Sequence, residues 1–251
     1  KTAPQVTAVV IASSNNAKAT IANLKRSDGS TALQRPNGWD AKRNVVKAGD
    51  VVTLTITANE FIFRPTVVFT SGSQNIKDSS IEYVDTQENG NQSNANKIWT
   101  AKYTAHADDT DGAVSFTVTY TDAAGNDGQN KTSVTDGTSV ITDKTAPQVT
   151  AVVIASSNNA KSRLASAKQQ DGNTALKLPN GWNNKTNAVT TNNKVTLTIT
   201  ANEFIFKPTV VFNVSGTTVK GSVTYKDTQE GGSQANANKI WTAEYTAHAD
   251  D

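Results

Sequence analysis

An internal repeat constrains this chain of 251 residues more than any other feature of its sequence. Residues 1–18 read KTAPQVTAVVIASSNNAK, and residues 144–161 repeat them without change. The correspondence continues through the motifs PNGW and TLTITANEFIF, loses one residue, and runs to YTAHADD. A copy of this length has the size of an ordinary domain, and arrays of near-identical copies form folded units in series. We therefore predict two domains, residues 1–143 and residues 144–251.

Apolar residues alternate with polar ones along several stretches of each copy. In residues 50–58, Val52, Leu54 and Ile56 alternate with threonines, and residues 114–120 show the same period of two. This period is typical of antiparallel strands with one face on a core and the other in water. The residues expected in the core are Leu54, Ile56, Trp99, Tyr103, Phe116 and Val118, and those expected at the surface are Thr53, Thr55, Thr117 and Thr119.

The number of predicted strands indicates the fold class. The strands expected in the first copy are residues 5–12, 50–58, 66–70, 80–84, 99–103, 114–120 and 132–142. About seven short strands is the number typical of an immunoglobulin-like sandwich. The prediction is therefore an all-β chain of tandem immunoglobulin-like Greek-key β-sandwiches. Residues 13–49 form a long insertion between the first two predicted strands, because they far exceed an ordinary hairpin loop.

Composition and charge exclude several classes of function. Cysteine is absent, so disulfides, cysteine-based zinc sites and thiol nucleophiles are excluded. The net charge of +2 is too small to indicate a nucleic acid or an anionic membrane as partner, and no stretch has the apolar length of a membrane span. The two histidines, His106 and His248, occupy equivalent positions beside aspartates, without a candidate nucleophile. We therefore expect no catalytic residues and no enzyme activity.

Several short motifs of the first copy occur in the order in which they are found in a known family. They are GDVVTL at 49–54, TANE at 57–60, WTAKYT at 99–104, DG at 111–112, YTDAAGN at 120–126 and DKTAP at 143–147. Together they resemble the bacterial Ig-like (Big) repeats of large cell-surface proteins and adhesins. The resemblance implies non-catalytic, extracellular modules joined head to tail. It covers the first copy except its insertion, and the second copy as far as that copy extends.

The resemblance leads to an expectation for function. We expect a structural repeat of an extracellular stalk, adhesin or filament, which spaces and stiffens a cell-surface protein. The expected partners are further copies of the same repeat, in the same chain or in neighbouring chains. The alternative is a glycan- or protein-binding module that uses Trp39 and Trp182, which follow Pro-Asn-Gly in the insertion and would contact surface glycans. Packing of the insertion against the sandwich is the other interpretation of these two tryptophans.

Acidic residues near the end of the first copy form a predicted calcium site. Asp108, Asp109 and Asp111 lie in one short loop, Asp143 ends the last predicted strand, and Glu203 lies in a loop of the second copy. Calcium binds carboxylate, amide and backbone carbonyl oxygens. In an immunoglobulin-like layout these loops meet at the joint between the repeats, so the five residues are the predicted ligands there.

A second predicted calcium site lies at the opposite pole of the first copy. Its residues are Glu60, Asp122, Asn126 and Asp127, which would serve a joint with a preceding repeat. A metal-free alternative stays open for both poles. In that alternative the Asp and Asn side chains form turns, and Lys144 balances part of the charge.

The second copy has no counterpart of residues 110–143, and so it lacks its last two predicted strands. We therefore expect the first copy to be closed and the second to be open on one sheet. Leu197, Ile199, Trp241 and Tyr245 would then face water. Completion is expected from further chain beyond Asp251, and the alternative is strand donation by a neighbouring molecule.

Overall fold

The computed structural model describes residues 2–15, 17, 43–77, 80–85, 96–158, 160, 163, 166–173, 188–219, 221–227 and 238–251. The chain divides into two compact units, with the boundary between Ala146 and Pro147. The described residues contain many strands and almost no helix, so the chain is all-β. Among these residues, no helix has the length and apolar character needed to cross a bilayer.

The described part of the first unit contains nine strands in two sheets. They are β1 (Val6–Ser13), β2 (Arg43–Val46), β3 (Val51–Ala58), β4 (Thr66–Ser71), β5 (Gln74–Asn75), β6 (Glu82–Asp85), β7 (Ile98–Thr104), β8 (Gly112–Thr119) and β9 (Ser139–Thr142). The first sheet has the order β1-β3-β7-β6, and each of its pairs is antiparallel. The second has the order β2-β9-β8-β4-β5, in which β2 and β9 are parallel and the other pairs antiparallel.

The inner faces of the two sheets share one hydrophobic core, which makes the unit sandwich-like. The rings of Phe69 in β4 and Tyr103 in β7 meet across the two sheets with their centroids 4.8 Å apart. The six apolar residues that the alternation places in the core are all buried, which confirms that prediction. They are Leu54, Ile56, Trp99, Tyr103, Phe116 and Val118.

The prediction for the outer threonines is only partly correct. Thr119 is exposed, but Thr53, Thr55 and Thr117 are half-buried. Thr53 and Thr55 lie in β3, which has β1 on one side and β7 on the other. Neighbouring side chains on both strands therefore cover part of each threonine, as cross-strand neighbours do on any sheet face.

Three details of the strand prediction are wrong. The strands β2 and β5 were not expected, and β2 lies within the residues assigned to the insertion. The last strand is β9 alone, which is shorter than the expected 132–142. A turn at Asp136 explains the difference, because its carboxylate accepts hydrogen bonds from the N–H and the hydroxyl of Thr138, at 3.0 and 2.7 Å.

The second unit repeats the first sheet of the first unit. Its strands are β10 (Val149–Ser156), β11 (Lys194–Ala201), β12 (Asn213–Val214), β13 (Thr217–Thr218), β14 (Thr224–Asp227) and β15 (Ile240–Thr246). The order β10-β11-β15-β14 matches β1-β3-β7-β6, and among the described strands β12 pairs with β13 alone. The register is also the same, since Val152 lies opposite Ile199 as Val9 lies opposite Ile56.

The four residues of the second unit that the sequence placed in water are largely covered. Ile199, Trp241 and Tyr245 are buried, and Leu197 is half-buried, so the expectation that they face water is wrong. The segment after β11 packs on part of the sheet, because Val210 and Phe212 belong to one cluster with Leu197 and Tyr245, and the Trp241 Nε1 donates to the Ile205 carbonyl at 3.2 Å. The ring of Phe212, in this segment, lies 4.7 Å from that of Tyr245, centroid to centroid. Four of the unit's exposed large apolar residues lie in β10, and they are Val149, Val152, Val153 and Ile154.

Replacement of Trp99 by alanine tests the core of the first unit. Trp99 is only 7 % exposed, so the W99A variant loses apolar burial and leaves a cavity. We expect it to lower the free energy of unfolding by about 3–5 kcal/mol, measured by urea denaturation followed by circular dichroism. The exposed Thr119 in the other sheet provides the control, because T119A should change that free energy by less than about 0.5 kcal/mol. Equal effects of the two variants would contradict the core assignment.

Candidate functional site

The loop after β7 is organised by the carboxylate of Asp109. This side chain is buried, and its two oxygens accept hydrogen bonds from backbone N–H groups. Oδ1 accepts from Lys77 at 2.8 Å, and Oδ2 accepts from His106 at 2.9 Å. A buried carboxylate needs such partners because desolvation of a charge is costly. Asp109 therefore joins the loop to the residues that follow β5.

The same turn occurs at the end of the second copy, so its local sequence is sufficient to form it. The His248 N–H donates to Asp251 Oδ2 at 2.7 Å, as that of His106 does to Asp109. The His106 ring belongs to the turn as well. Its Nδ1 accepts the Asp108 N–H at 3.1 Å and lies 3.5 Å from the Asp108 carboxylate, with both side chains open to solvent. The His106 and Asp108 side chains of this turn are therefore solvated, whereas Asp109 is buried.

Asp111 holds the start of the inter-repeat linker against the first unit. Its Oδ1 accepts the Lys144 N–H at 3.0 Å, and its Oδ2 accepts the Thr145 hydroxyl. The Lys144 Nζ donates to the carbonyl of Ala107 at 2.9 Å, within the same loop. We call Asp111, Lys144 and Thr145 the linker clasp. The linker therefore leaves the first unit in one defined position.

The carboxylates of the clasp region have pKa values shifted in opposite directions. The hydrogen bonds from Thr145 and Lys144, with the positive charge of Lys144, lower the pKa of Asp111. Partial desolvation and the negative charge of Asp111 raise the pKa of Asp143. The two carboxylates thus influence each other. Donors dominate the pKa of Asp111, whereas desolvation and the charge of Asp111 outweigh the Thr145 backbone hydrogen bond at Asp143.

At the opposite pole of the first unit, Asp122 closes the turn that follows β8. Its Oδ1 accepts the N–H groups of Ala124 and Asn126 at 2.8 and 2.9 Å, and its Oδ2 accepts the Asn126 side-chain amide at 2.8 Å. Asp122 is buried, Glu60 is half-buried and Asp127 is exposed. The backbone of Ile62, in the loop after β3, forms an isolated bridge with Asp122. This bridge places the Glu60 loop beside the turn.

The predicted calcium ligands occupy different parts of the chain. Asp108, Asp109, Asp111 and Asp143 belong to the first unit, and the half-buried Glu203 belongs to the second. Within the residues that the structure describes, no group of three or more His, Cys, Asp or Glu side chains is placed to hold a metal ion. The hydrogen bonds of Asp109, Asp111 and Asp122 agree with the turn interpretation. Calcium binding stays a prediction.

The predicted ligand-binding residues Trp39 and Trp182 lie outside the described residues.

Sequence reasoning missed a pair of phenylalanines after the second strand of the first sheet in each unit. Phe61 and Phe63 meet edge to face with their ring centroids 5.4 Å apart, and Phe204 and Phe206 do so at 5.3 Å. Phe63 and Phe206 are exposed. The signal was present in the repeated motif NEFIF, where aromatic residues alternate beyond the end of the strand.

Comparisons with known proteins add no family to these observations. No protein-family model matches the chain, and a search of the curated proteins found none that matches it.

The pH dependence of the clasp is a test of its geometry. The folded-state pKa of Asp111 is lowered, so the ionised carboxylate stabilises the folded state. This contribution to the free energy of unfolding is complete above the ordinary carboxyl pKa of about 4, and it is lost as the pH falls through the lowered value. We expect the chemical shift of the Lys144 amide, measured by NMR as a function of pH, to change in one step below about pH 4. A separate step above it would belong to Asp143, whose pKa is raised.

Two variants control this titration. D111N keeps the size of the side chain and should remove the low-pH step at Lys144. The exposed Asp127 lies in a turn at the other pole, and D127N should leave the step unchanged. Because Asp111 is exposed, D111N should lower the free energy of unfolding by no more than about 1 kcal/mol. A Lys144 amide that titrates equally in D111N would contradict the clasp.

Calcium titration decides between the metal and turn interpretations of the acidic loops. A cation that binds the folded state raises its melting temperature by mass action. Calcium bound at the predicted sites should therefore raise the melting temperature of the 251-residue chain in proportion to the logarithm of its concentration, and EDTA should reverse the change. If calorimetry gives the same melting temperature in calcium and in EDTA, the calcium interpretation is contradicted and only the turn interpretation remains.

Proposed function

We propose that the chain is a non-catalytic structural segment, in which tandem repeats space and stiffen a stalk, adhesin or filament. The linker carries this proposal. Thr145 donates a hydrogen bond to the first unit through the clasp, and the Gln148 N–H donates to Asn202 Oδ1 of the second unit at 2.8 Å. Only Ala146 and Pro147 separate these two bonds. A connection this short, with a proline, has far less freedom than a Gly/Ser spacer.

Each repeat receives the incoming chain in the same way, which supports a periodic array. The Gln5 N–H donates to Asn59 Oδ1 at 2.9 Å, as Gln148 does to Asn202. The residues KTAP precede this contact in both copies. Every further copy would thus meet its neighbour through the same short connection. Further copies of the repeat, in this chain or in neighbouring chains, are the partners that we propose.

The strand orders of the first unit support immunoglobulin-like repeats. We letter the strands in chain order and leave out β2 and β5. The first sheet, β1-β3-β7-β6, then has the order A-B-E-D of one immunoglobulin sheet. The strands β9, β8 and β4 correspond to G, F and C of the other sheet, with β2 added at the edge beside β9. In this proposal the long insertion lies between β1 and β2, and the chain belongs to the Big-like repeats that its motifs resemble. An extracellular, cell-surface location follows from that resemblance.

A flexible insertion in the linker tests the stiffening function. Four Gly and Ser residues placed between Ala146 and Pro147 should broaden the distribution of chain dimensions in small-angle X-ray scattering. The melting temperature of each unit should stay unchanged, because the hydrogen bonds of Thr145 and Gln148 lie on either side of the insertion.

The control carries the same four residues after Asp251, where they lengthen the chain without altering the linker. It should scatter like the unmodified chain apart from its added mass. An unmodified chain whose dimensions are already as broadly distributed as those of the linker variant would contradict a stiffening role.

A further inference from the structure

The beginning and the end of the first unit are joined by segments that run in the same direction. Residues 131–138, which lead into β9, lie along the edge of β1. The Val9 N–H donates to the Thr135 hydroxyl at 3.0 Å, and the Thr135 N–H donates back to the Val9 carbonyl at 2.9 Å. Further along β1, the Ile11 N–H donates to the Thr138 hydroxyl at 3.1 Å. The residue numbers rise together on both sides, so the two segments are parallel.

The strand β9 continues this parallel arrangement against β2. Val46 lies opposite Thr142, and the Asp143 N–H donates to the Val46 carbonyl at 2.9 Å just beyond the end of β9. The Ser13 hydroxyl at the end of β1 donates to the Val45 carbonyl at 2.7 Å, which joins β1 to β2. We call the pairing of β9 with β2 and the two threonine contacts to β1 the terminal contact.

The direction of these strands decides how the unit responds when its two ends are pulled apart. The chain enters at the first residue of β1 and leaves after the last residue of β9, so tension draws the two segments in opposite directions along their common axis. Hydrogen bonds between parallel strands are evenly spaced, and this sliding motion loads all of them at once. When strand ends are instead pulled sideways, the bonds break one after another. The terminal contact is therefore placed to resist tension along the chain.

The core beneath the terminal contact shields its hydrogen bonds from water. Val46 in β2 and Val140 in β9 are 0 % and 1 % exposed, and Val9 in β1 is also buried. The hydroxyls of Ser71 and Thr142, both buried, share a hydrogen bond of 2.6 Å that joins β4 to β9. A hydrogen bond in the interior is electrostatically stronger than one in water. Sliding of β9 would therefore break packing as well as hydrogen bonds.

We propose that the first unit resists mechanical tension, and that the terminal contact is its force-resisting element. The proposal rests on the proposed function for the origin of the tension, because each repeat of a stalk or filament transmits a pull to the next. Unfolding under force is governed by the rate of unfolding, and so by the contacts that break first. The linker clasp is exposed and lies nearer the point of pull, so it should yield without unfolding the unit. Unfolding itself should begin when β9 slides past β2.

The experiment pulls the 251-residue chain along two axes with optical tweezers. Because the chain contains no cysteine, handles attach only to introduced thiols. The variant with T2C and A146C is pulled at both ends of the first unit, which loads the terminal contact by sliding. The variant with K47C and A146C is pulled at the adjacent ends of β2 and β9, which separates them sideways. Thr2, Lys47 and Ala146 are exposed, so these replacements should leave the fold intact.

The two axes should give different unfolding rates. At equal tension we expect the first unit to unfold at least about tenfold more slowly along the T2C–A146C axis than along the K47C–A146C axis. A factor of this size corresponds to breaking about two more hydrogen bonds in the same step. Along the first axis the unit should unfold in a single step, and along the second β9 should separate first.

Two buried valines in one sheet distinguish the terminal contact from stability in general. V46A removes packing within the contact, and V67A removes it in β4, which β8 separates from β9. Both variants should lower the melting temperature. Only V46A should speed unfolding along the T2C–A146C axis, by about fivefold or more, because packing that is broken in the transition state affects the unfolding rate in full. V67A should change that rate by less than about twofold, since β4 is still packed when β9 begins to slide.

Equal unfolding rates along the two axes would overturn the proposal, and so would equal effects of V46A and V67A on unfolding under tension. The comparison of the axes needs neither valine variant, so it is conclusive even if V46A fails to fold. The result is also separate from the test of stiffening, because residues inserted after Ala146 lie outside the tethered part of the chain. A flexible linker together with a large difference between the axes would remove the stiffening role and leave the terminal contact in place.

Discussion

The pairing of β8 with β4, together with the cover of β1 by residues 131–138, is the constraint on which the structure of the repeat depends. These contacts join residues that lie far apart in the chain, and they bring the second sheet over the first. The inner faces of both sheets then exclude water, which is the main favourable contribution to a fold of this kind. Where the segment is present, Val9 and Val67 are buried. In the second unit, the equivalent Val152 is exposed and Val210 is half-buried.

The acidic residues of the loops act through the backbone. Asp109, Asp111 and Asp122 each accept hydrogen bonds from main-chain N–H groups, so their charges are used to hold turns and the linker in place. Beside Asp111, the positive charge of Lys144 adds to the stabilisation by backbone donors. The hydrogen bonds of Asp111 also join the end of one repeat to the residues that lead into the next.

The proposed spacing function depends on repetition. A spacer needs each joint to resemble the last, and the equivalent contacts of Gln5 and Gln148 provide that similarity.

The sequence by itself determined the local features of this protein. The alternation of Leu54 and Ile56 with threonines predicted the strand and its buried face, and the TAHADD motif forms the same turn in both copies, because these features depend on near neighbours. The clasp and the parallel pairing of β2 with β9 escaped prediction, since they join residues distant in the chain. Tertiary structure alone decided whether a given strand is buried. The two copies of VTAVVIAS have one sequence and one register, yet one strand lies in a core and the other in water, because burial depends on residues that the strand does not contain.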